Sequence, residues 1–339
     1  MTEREIILEV KDLQTSFFTD DGVIPSVDYI DFHIREGEIL GIVGESGCGK
    51  SVTSLSIMGL VPSPPGKITN GQILFRGKDL TKLSEREMRS IRGNEVAMIF
   101  QEPMTSLNPL FTIGNQLIEA ITLHKKDWSK KQVKARAIEM LKLVGLPRAE
   151  ELMKDYPHQL SGGMRQRVMI AMALVCDPQV LIADEPTTAL DVTIQAQILK
   201  LMRDLNERLN TAVILITHDL GVVAETCERV VVMYAGKVVE EGSVETIFNN
   251  PQHPYTKGLI ASVPDMRFKK QRLYSIPGNV PKPGMIKQGC RFAARCDFMF
   301  GRCTEESPPL YETSKGHQTR CFLYDEKEVV VNDKTAATS

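Results

Sequence analysis

The sequence predicts an α/β protein built around a mostly parallel sheet and followed by a small, loop-rich C-terminal unit. Several short segments are almost wholly apolar, as strands buried on both faces of a parallel sheet tend to be. One of them, 38–43, runs into a glycine-rich turn and then a helix-forming stretch, which is typical of α/β proteins. The predicted strands are 6–10, 28–34, 38–43, 72–75, 96–100, 180–183, 212–217 and 230–240.

Turn and helix patterns divide the rest of the chain. The last predicted strand is split by Ala235-Gly236, as a hairpin turn would split it. At about 105–175 apolar residues recur at helical spacing, so an all-helical insert interrupts the sheet. After about residue 250, prolines become frequent and regular runs few. We predict a first domain at 1–255 and a C-terminal extension at 256–339 that lacks an obvious core of its own.

Size and charge restrict the possible partners. The 339 residues exceed the roughly 250–300 over which one core grows, which agrees with a large domain and an appendage. The net charge of −2 disfavours a nucleic-acid partner, so the basic stretch 125–136 is interpreted as a solvated helix face. Met1 to Val10 lacks a signal pattern, and no apolar run approaches the ~18 residues that span a bilayer. We expect a cytosolic protein, or one that reaches a membrane only through partners.

Residues 44–51 match the GxxxxGK[ST] phosphate-binding loop, and they lie between a strand and a helix as that motif requires. Glycines let backbone N–H groups converge on phosphates, Lys50 can reach the β and γ oxygens, and the Ser51 hydroxyl can bind Mg²⁺. Cys48 is interpreted as a filler side chain rather than a redox switch. The nucleotide-binding residues predicted here are Gly44, Ser46, Gly47, Cys48, Gly49, Lys50, Ser51 and Val52.

Two acidic residues, Asp184 and Glu185, follow the apolar strand 180–183. This places both carboxylates at the carboxyl edge of the sheet, where ligands bind in α/β folds. Asp184 is expected to hold the Mg²⁺ shell, and Glu185 to orient or deprotonate the attacking water. Helix capping is the alternative, and a phosphate loop upstream makes it the weaker one. The sequence therefore predicts nucleotide hydrolysis.

The segment Leu160-Ser161-Gly162-Gly163-Met164-Arg165-Gln166, standing between the phosphate loop and Asp184, resembles the signature motif of the ATP-binding cassette family. The resemblance implies a RecA-like core, an antiparallel β subdomain and a helical subdomain, with ATP and Mg²⁺ as cofactors. In the family this loop caps the γ-phosphate held by the opposite subunit, so that ATP joins a head-to-tail dimer. A serine N-cap with flexible glycines is the alternative. The residues expected to act across the dimer are Ser161, Gly162, Gly163, Gln166 and Asp191.

Further positions are carried over from the family one by one. Gln101 matches the Q-loop glutamine, which touches Mg²⁺ or its water, so the implied Mg²⁺ residues are Ser51, Gln101 and Asp184. His218, after a strand, matches the switch histidine that contacts the γ-phosphate. The implied catalytic residues are Glu185, His218 and Gln101.

Each of these assignments has an alternative: Gln101 could be only a polar residue that ends a strand, and His218 only a buried structural histidine. Asp191 matches the D-loop, but it could also be only the N-cap of a helix over 192–203. Phe17 is expected to stack on adenine, although the neighbouring Phe18 could do so and both could belong to the core.

Two further stretches, 101–109 (QEPMTSLNP) and 253–264 (HPYTKGLIASVP), resemble the ATPase subunits of bacterial dipeptide and oligopeptide importers. The resemblance implies a second ATPase subunit, identical or different, and two transmembrane permease subunits bound through the groove beside the Q-loop. A peptide-binding protein would deliver the cargo from outside, and this chain would hydrolyse ATP at the cytoplasmic face of the membrane. A nickel or other small-solute importer, a soluble cassette ATPase and a regulator without turnover remain alternatives.

Four cysteines lie close together near the C-terminal end in the spacing C-x5-C-x6-C-x17-C: Cys290, Cys296, Cys303 and Cys321. The absence of a CxxC pair disfavours a zinc ribbon, and a reducing cytosol disfavours disulfides. Four thiolates could hold an iron–sulfur cluster, whose metal–ligand bonds would replace missing hydrophobic burial. The resemblance agrees, because importer ATPases with this cysteine pattern are similar to ones carrying a [4Fe–4S] centre. Zinc, with His317 as a spare ligand, and free thiols stay open.

Overall fold

The computed structural model describes residues 4–101, 106–188, 190–263 and 274–325. Within the importer-like stretches, 102–105 and Pro264 lie outside the described residues. The strands in chain order are β1 (Ile6–Thr19), β2 (Gly22–Arg35), β3 (Ile39–Val43), β4 (Gly66–Phe75), β5 (Lys78–Asp79), β6 (Val96–Ile99), β7 (Val180–Asp184), β8 (Ala212–Thr217), β9 (Arg229–Tyr234), β10 (Lys237–Ser243), β11 (Tyr311–Ser314) and β12 (His317–Thr319).

The larger sheet contains eight strands in the order β11-β12-β10-β9-β3-β8-β7-β6. Its five strands from β9 to β6 are parallel, and β10, β12 and β11 add antiparallel strands at one edge. The predicted α/β class with a mostly parallel sheet is confirmed. The predicted hairpin at Ala235-Gly236 is also present, because it joins β9 to β10.

The parallel strands are apolar throughout because both of their faces are covered. In β8, Val213 and Leu215 belong to a core shared with the helical insert, whereas Ile214 and Ile216 belong to a core shared with the smaller sheet. Alternate side chains of a strand point to opposite faces, so one run of apolar residues fills two cores.

The smaller sheet is antiparallel and has the order β2-β1-β4-β5. Its first two strands pair as a hairpin and are 14 residues long each, about twice the predicted lengths or more. The difference arises because polar residues such as Thr15 and Ser16 are buried between strands and interrupt the apolar pattern. This sheet corresponds to the expected antiparallel β subdomain.

The helices lie between the strands along the chain, and some of them form the expected helical insert. No helix among the described residues is long and apolar enough to cross a membrane. The insert comprises the third to sixth helices, within the predicted 105–175. The helices are α1 (Lys50–Ile57), α2 (Glu85–Ile91), α3 (Ile113–His124), α4 (Lys130–Leu143), α5 (Ala149–Leu152), α6 (Gly162–Leu174), α7 (Val192–Leu209), α8 (Leu220–Thr226), α9 (Val244–Asn249), α10 (Pro254–Ala261) and α11 (Gly301–Glu305).

The C-terminal extension is integrated with the first domain instead of standing apart as a coreless unit. Its hairpin β11–β12 continues the larger sheet through β10. Its Phe292 ring packs at 5.2 Å from the ring of Tyr234 and at 5.5 Å from that of Tyr255. The proline-rich extension can therefore be ordered, because it pairs with the edge of the larger sheet and packs against apolar side chains of the preceding residues.

A buried carboxylate joins the two parts. Glu240 in β10 accepts hydrogen bonds from the backbone N–H groups of Gln252 at 2.6 Å and His253 at 2.9 Å. His317 Nε2 lies 2.8 Å from the same carboxylate, and the Glu240 and His317 side chains are both buried. Both carboxylate oxygens of Glu240 thus have hydrogen-bond partners, and the position of the β11–β12 hairpin depends on this one side chain.

We predict that Glu240→Ala lowers the free energy of unfolding by about 3 kcal/mol, because it leaves several buried donors without an acceptor. Urea denaturation of the whole chain measures this loss. The control is Glu207→Ala on the exposed side of α7, which should change stability by less than about 0.5 kcal/mol. Equal effects of the two variants would contradict a special role for Glu240.

Candidate functional site

The glycine-rich loop joins β3 to α1 at the carboxyl edge of the larger sheet. Gly44 and Gly49 have φ angles of 154° and 104°, a backbone conformation that residues with a side chain rarely adopt. A Cβ atom at Gly44 would lie 2.2 Å from the carbonyl oxygen of Met233, and one at Gly49 would lie 2.5 Å from that of Ser26. Both glycines are therefore required by the close packing of the loop as well as by its conformation.

Lys50 is the first residue of α1, and its side chain is buried. Its Nζ donates to the carbonyl oxygens of Gly44 at 2.8 Å and Glu45 at 3.2 Å. The Ser51 hydroxyl donates to Asp184 Oδ1 at 3.2 Å. A cation for phosphate and two oxygen ligands suited to Mg²⁺ are thus side by side, although Ser51 and Asp184 are far apart in sequence.

The other predicted residues of the loop differ in exposure. Ser46 and Gly47 are exposed, and Val52 is half-buried. Cys48 is fully buried, and burial raises the pKa of its thiol. Cys48 therefore has the character of an inert filler side chain, as predicted.

The two acidic residues at the end of β7 have different electrostatic environments. Burial raises the pKa of Asp184, and the nearby charge of Glu185 adds to this effect. For Glu185, burial also favours the neutral form, but hydrogen bonds from His218 and Thr188 outweigh it and lower the pKa. Glu185 is therefore ionised at neutral pH, as a group that accepts a proton from water must be.

Three polar side chains converge on the Glu185 carboxylate. Gln101 Nε2 donates to its Oε2 at 3.2 Å, and His218 Nδ1 lies 3.3 Å from its Oε1. Thr188 Oγ1 also donates to Oε2, at 3.0 Å. The structure brings the predicted residues Gln101, Glu185 and His218 together, and it adds Thr188, which the sequence did not single out. The only available signal for Thr188 was its place three residues after the acid.

The signature segment begins α6. Ser161 is its N-cap and accepts a hydrogen bond from the Met164 N–H at 3.3 Å, and Ser161 and Gly162 are exposed while Gly163 is half-buried. Gln166 is fully buried and donates to the Pro186 carbonyl oxygen. Its burial favours a link within the chain, between the signature helix and the segment after β7, over the expected contact across a dimer.

Asp191 caps α7, accepting a hydrogen bond from the Ile194 N–H at 2.9 Å, so the capping alternative describes its contact within the chain. Its side chain is also exposed at the start of that helix. Phe17 and Phe18 lie in β1, where Phe17 is half-buried and pairs with Gly66, and Phe18 is 49% exposed. Successive residues of a strand point to opposite faces, so only one of the two rings can serve a given site.

The four C-terminal cysteines line one small apolar cavity. Phenylalanine side chains at positions 292, 298, 300 and 322 line it as well. Burial raises the pKa of Cys290 to about 11 and that of Cys321 to about 12, and the nearness of the other thiols adds to both shifts. No group of three or more His, Cys, Asp or Glu side chains in the described part of the chain is arranged to hold a metal ion.

Comparisons with known proteins agree with this geometry. The family described as "ABC transporter" matches residues 27–188, and "Oligopeptide/dipeptide transporter, C-terminal region" matches 239–303. The oligopeptide transport ATP-binding protein AppD of Bacillus subtilis (strain 168) is 56% identical over 95% of this chain and 98% of its own length. The dipeptide transport ATP-binding protein DppD of the same strain is 53% identical over 95% and 96%.

Solved structures support the same class. The dimeric ATP-binding cassette MJ0796 bound to ADP and Pi has a TM-score of 0.62 and 30% identity, covering 70% of this chain and 98% of that one. Fold and site together define an ABC-type ATPase, which uses ATP and Mg²⁺. More closely, the chain belongs to the family of peptide ABC transporter ATP-binding proteins, with which it shares about half of its residues along nearly its whole length.

We predict that Glu185→Gln reduces ATP turnover by ~100-fold or more while ATP still binds, because the amide retains the shape of the side chain but cannot accept a proton. Phosphate release and nucleotide binding measure the two properties separately. Glu207→Gln, on the exposed side of α7, is the matched control and should hydrolyse ATP normally. Normal turnover by Glu185→Gln would rule out Glu185 as the residue that activates water.

Proposed function

We propose that this chain is the ATP-hydrolysing motor subunit of a membrane importer for dipeptides or oligopeptides. The main support is the match of residues 239–303 to the C-terminal region of oligopeptide and dipeptide transporters, since this region lies outside the general cassette. Relatives named for peptide transport match nearly the whole chain. The chemistry on this chain is ATP + H₂O → ADP + phosphate, and the peptide is handled by other subunits.

The proposed roles of the site residues follow from their contacts. Lys50 and the loop N–H groups bind the phosphates, and Ser51, Asp184 and Gln101 serve Mg²⁺ or its water. Glu185 activates the attacking water, with His218 at the γ-phosphate. Supporting observations are the Ser51–Asp184 hydrogen bond and the contacts of Gln101 and His218 with one carboxylate. Phe17 remains the proposed adenine-stacking residue.

We place a second ATPase subunit, identical or different, on the face that exposes Ser161, Gly162 and Asp191. Backbone N–H groups at the start of α6, where Ser161 is the N-cap, would attract a phosphate of the other chain. ATP bound to one chain would be covered by this segment of the other. The similar cassette MJ0796 is a dimer in its solved structure.

Two permease subunits are the proposed membrane partners, and they would hold this chain at the cytoplasmic face of the membrane. An apolar groove beside Gln101 supports this placement, because it opens between β6 and the helical insert. Phe100 and Leu123 in its wall are 41% and 63% exposed, and adjoining exposed apolar surface marks a site of protein–protein contact. A peptide-binding protein outside the membrane would act indirectly, through the permeases.

The four-cysteine cavity is the proposed site of a [4Fe–4S] cluster, held by Cys290, Cys296, Cys303 and Cys321. In such a cluster each cysteine binds a different iron, so its sulfurs stand further apart than the four ligands of one zinc ion. The support for this proposal is that all four thiols line one apolar cavity. When bound, the cluster would cross-link the extension and neutralise thiolates that burial disfavours.

For the importer, we predict that the tagged chain isolated from its own cell in mild detergent carries two polytopic membrane proteins. Vesicles containing the purified complex should accumulate labelled dipeptide or oligopeptide when ATP is supplied on the side of this chain. The complex with Glu185→Gln, which assembles but does not hydrolyse ATP, is the control and should accumulate none. ATP-driven nickel uptake without peptide uptake, or isolation without membrane partners, would contradict the proposal.

For the cluster, we predict that anaerobically purified protein is brown, with broad absorption near ~400 nm and about four irons per chain. Cys303→Ser should lose this absorption, whereas Cys176→Ser, a buried thiol in another core, should retain it. Colourless protein that contains zinc, or an absorption unchanged in Cys303→Ser, would contradict the assignment.

A further inference from the structure

Glu45, the second residue of the phosphate loop, has each of its polar groups fixed by a partner. Its carbonyl oxygen accepts from Lys50, and its N–H donates to the Tyr255 hydroxyl oxygen at 2.9 Å. Its carboxylate pairs with Arg295 through two hydrogen bonds of 2.8 and 3.2 Å. Two of these partners come from residues beyond 250. The shape of the loop at Glu45 therefore depends on the C-terminal part of the chain.

Arg295 is built into the structure rather than lying on its surface. Its side chain is only 6% exposed, and its guanidinium also donates to the Tyr234 hydroxyl and to the carbonyl oxygens of Ile276 and Pro277. The guanidinium lies 5.7 Å from the centre of the Tyr234 ring. Arginine is suited to this place, because its planar fork binds a carboxylate through two donors while its face packs on an aromatic ring.

A carboxylate in a loop that binds phosphates needs such a partner. Phosphate loops attract anions through backbone N–H groups and a lysine, and an unpaired carboxylate among them would repel the triphosphate. The fork of Arg295 cancels the charge of Glu45 and fixes the direction of its side chain. The Tyr255 hydroxyl holds the backbone of the same residue.

We propose that Arg295 is a positioning residue of the ATP site: it neutralises Glu45 and holds the phosphate loop in the conformation that binds Mg-ATP. The C-terminal extension thereby completes the nucleotide site of the same chain. The inference rests on the proposed role of residues 44–51 in phosphate binding. Arg295 touches no reacting atom, so it acts on ATP binding and not on the hydrolytic step.

The test is the dependence of ATP hydrolysis by the full-length protein on Mg-ATP concentration. Arg295→Met should raise the KM for ATP about tenfold, with kcat nearly unchanged, because an unpaired carboxylate then faces the phosphates. Added salt should reduce this rise in KM, because it screens the repulsion. Adding Glu45→Gln to Arg295→Met should return the KM toward that of the unchanged protein, since it removes the charge that Arg295 cancels.

Arg302→Met is the matched control. Arg302 lies in the same extension and pairs with Glu306 and Asp325, so its loss also weakens the extension, but the KM should not change. If Arg295→Met does not fold, Arg295→Lys takes its place and should raise the KM to a smaller extent, because lysine retains the charge and loses the fork.

The outcomes separate this inference from the proposed phosphate site. Lys50→Ala should weaken ATP binding strongly, and an unchanged KM for Lys50→Ala would refute the phosphate site itself. With that site upheld, an unchanged KM for the Arg295 variants would overturn the inference. It would also be overturned by an equal rise in Arg302→Met, or by a double variant that remains as impaired as Arg295→Met.

Discussion

The parallel register of β3, β7 and β8 is the constraint on which the nucleotide site depends. Val43 lies opposite Thr217, and Asp184 lies opposite Ile216, so the three strands end almost level. The glycine-rich loop follows the end of β3, Glu185 follows the end of β7, and His218 follows the end of β8. Backbone hydrogen bonds between the strands therefore bring together groups from distant parts of the chain.

Electrostatics then assigns different tasks to neighbouring groups at this edge. Asp184 is buried and has a raised pKa, which suits a carboxylate that a divalent cation would neutralise. Glu185 has a lowered pKa because its neighbours donate hydrogen bonds to it. Glu45 adds a third carboxylate, whose charge is neutralised by the ion pair with Arg295. A site that binds a triphosphate can thus contain three acidic residues, since burial, hydrogen bonds or an ion pair offsets the negative charge of each one.

Much of this site could be predicted from the sequence, since each motif is a short run with a local mechanism. The glycine-rich loop needs glycines for its turn, and the acids follow an apolar strand, so these local patterns suffice to single out Lys50, Ser51, Asp184 and Glu185 as candidates. Tyr255 and Arg295 were missed because a hydrogen bond to a residue far away in the sequence leaves no periodic pattern, and Thr188 because a threonine close to an acid is no specific signal. The extension also resembled a separate unit. It has few apolar runs of its own, because its core is shared with residues of the first domain.

The sequence by itself determined the class of fold, the family and the kinds of chemical group available, because strands, glycine turns and helix caps are encoded by neighbouring residues. Only the tertiary structure decided which groups meet. Arg295 and Glu45 are separated by 250 positions, and Gln101 and Glu185 by 84. Such pairs follow from strand order and from the packing of whole elements, and both depend on the entire chain.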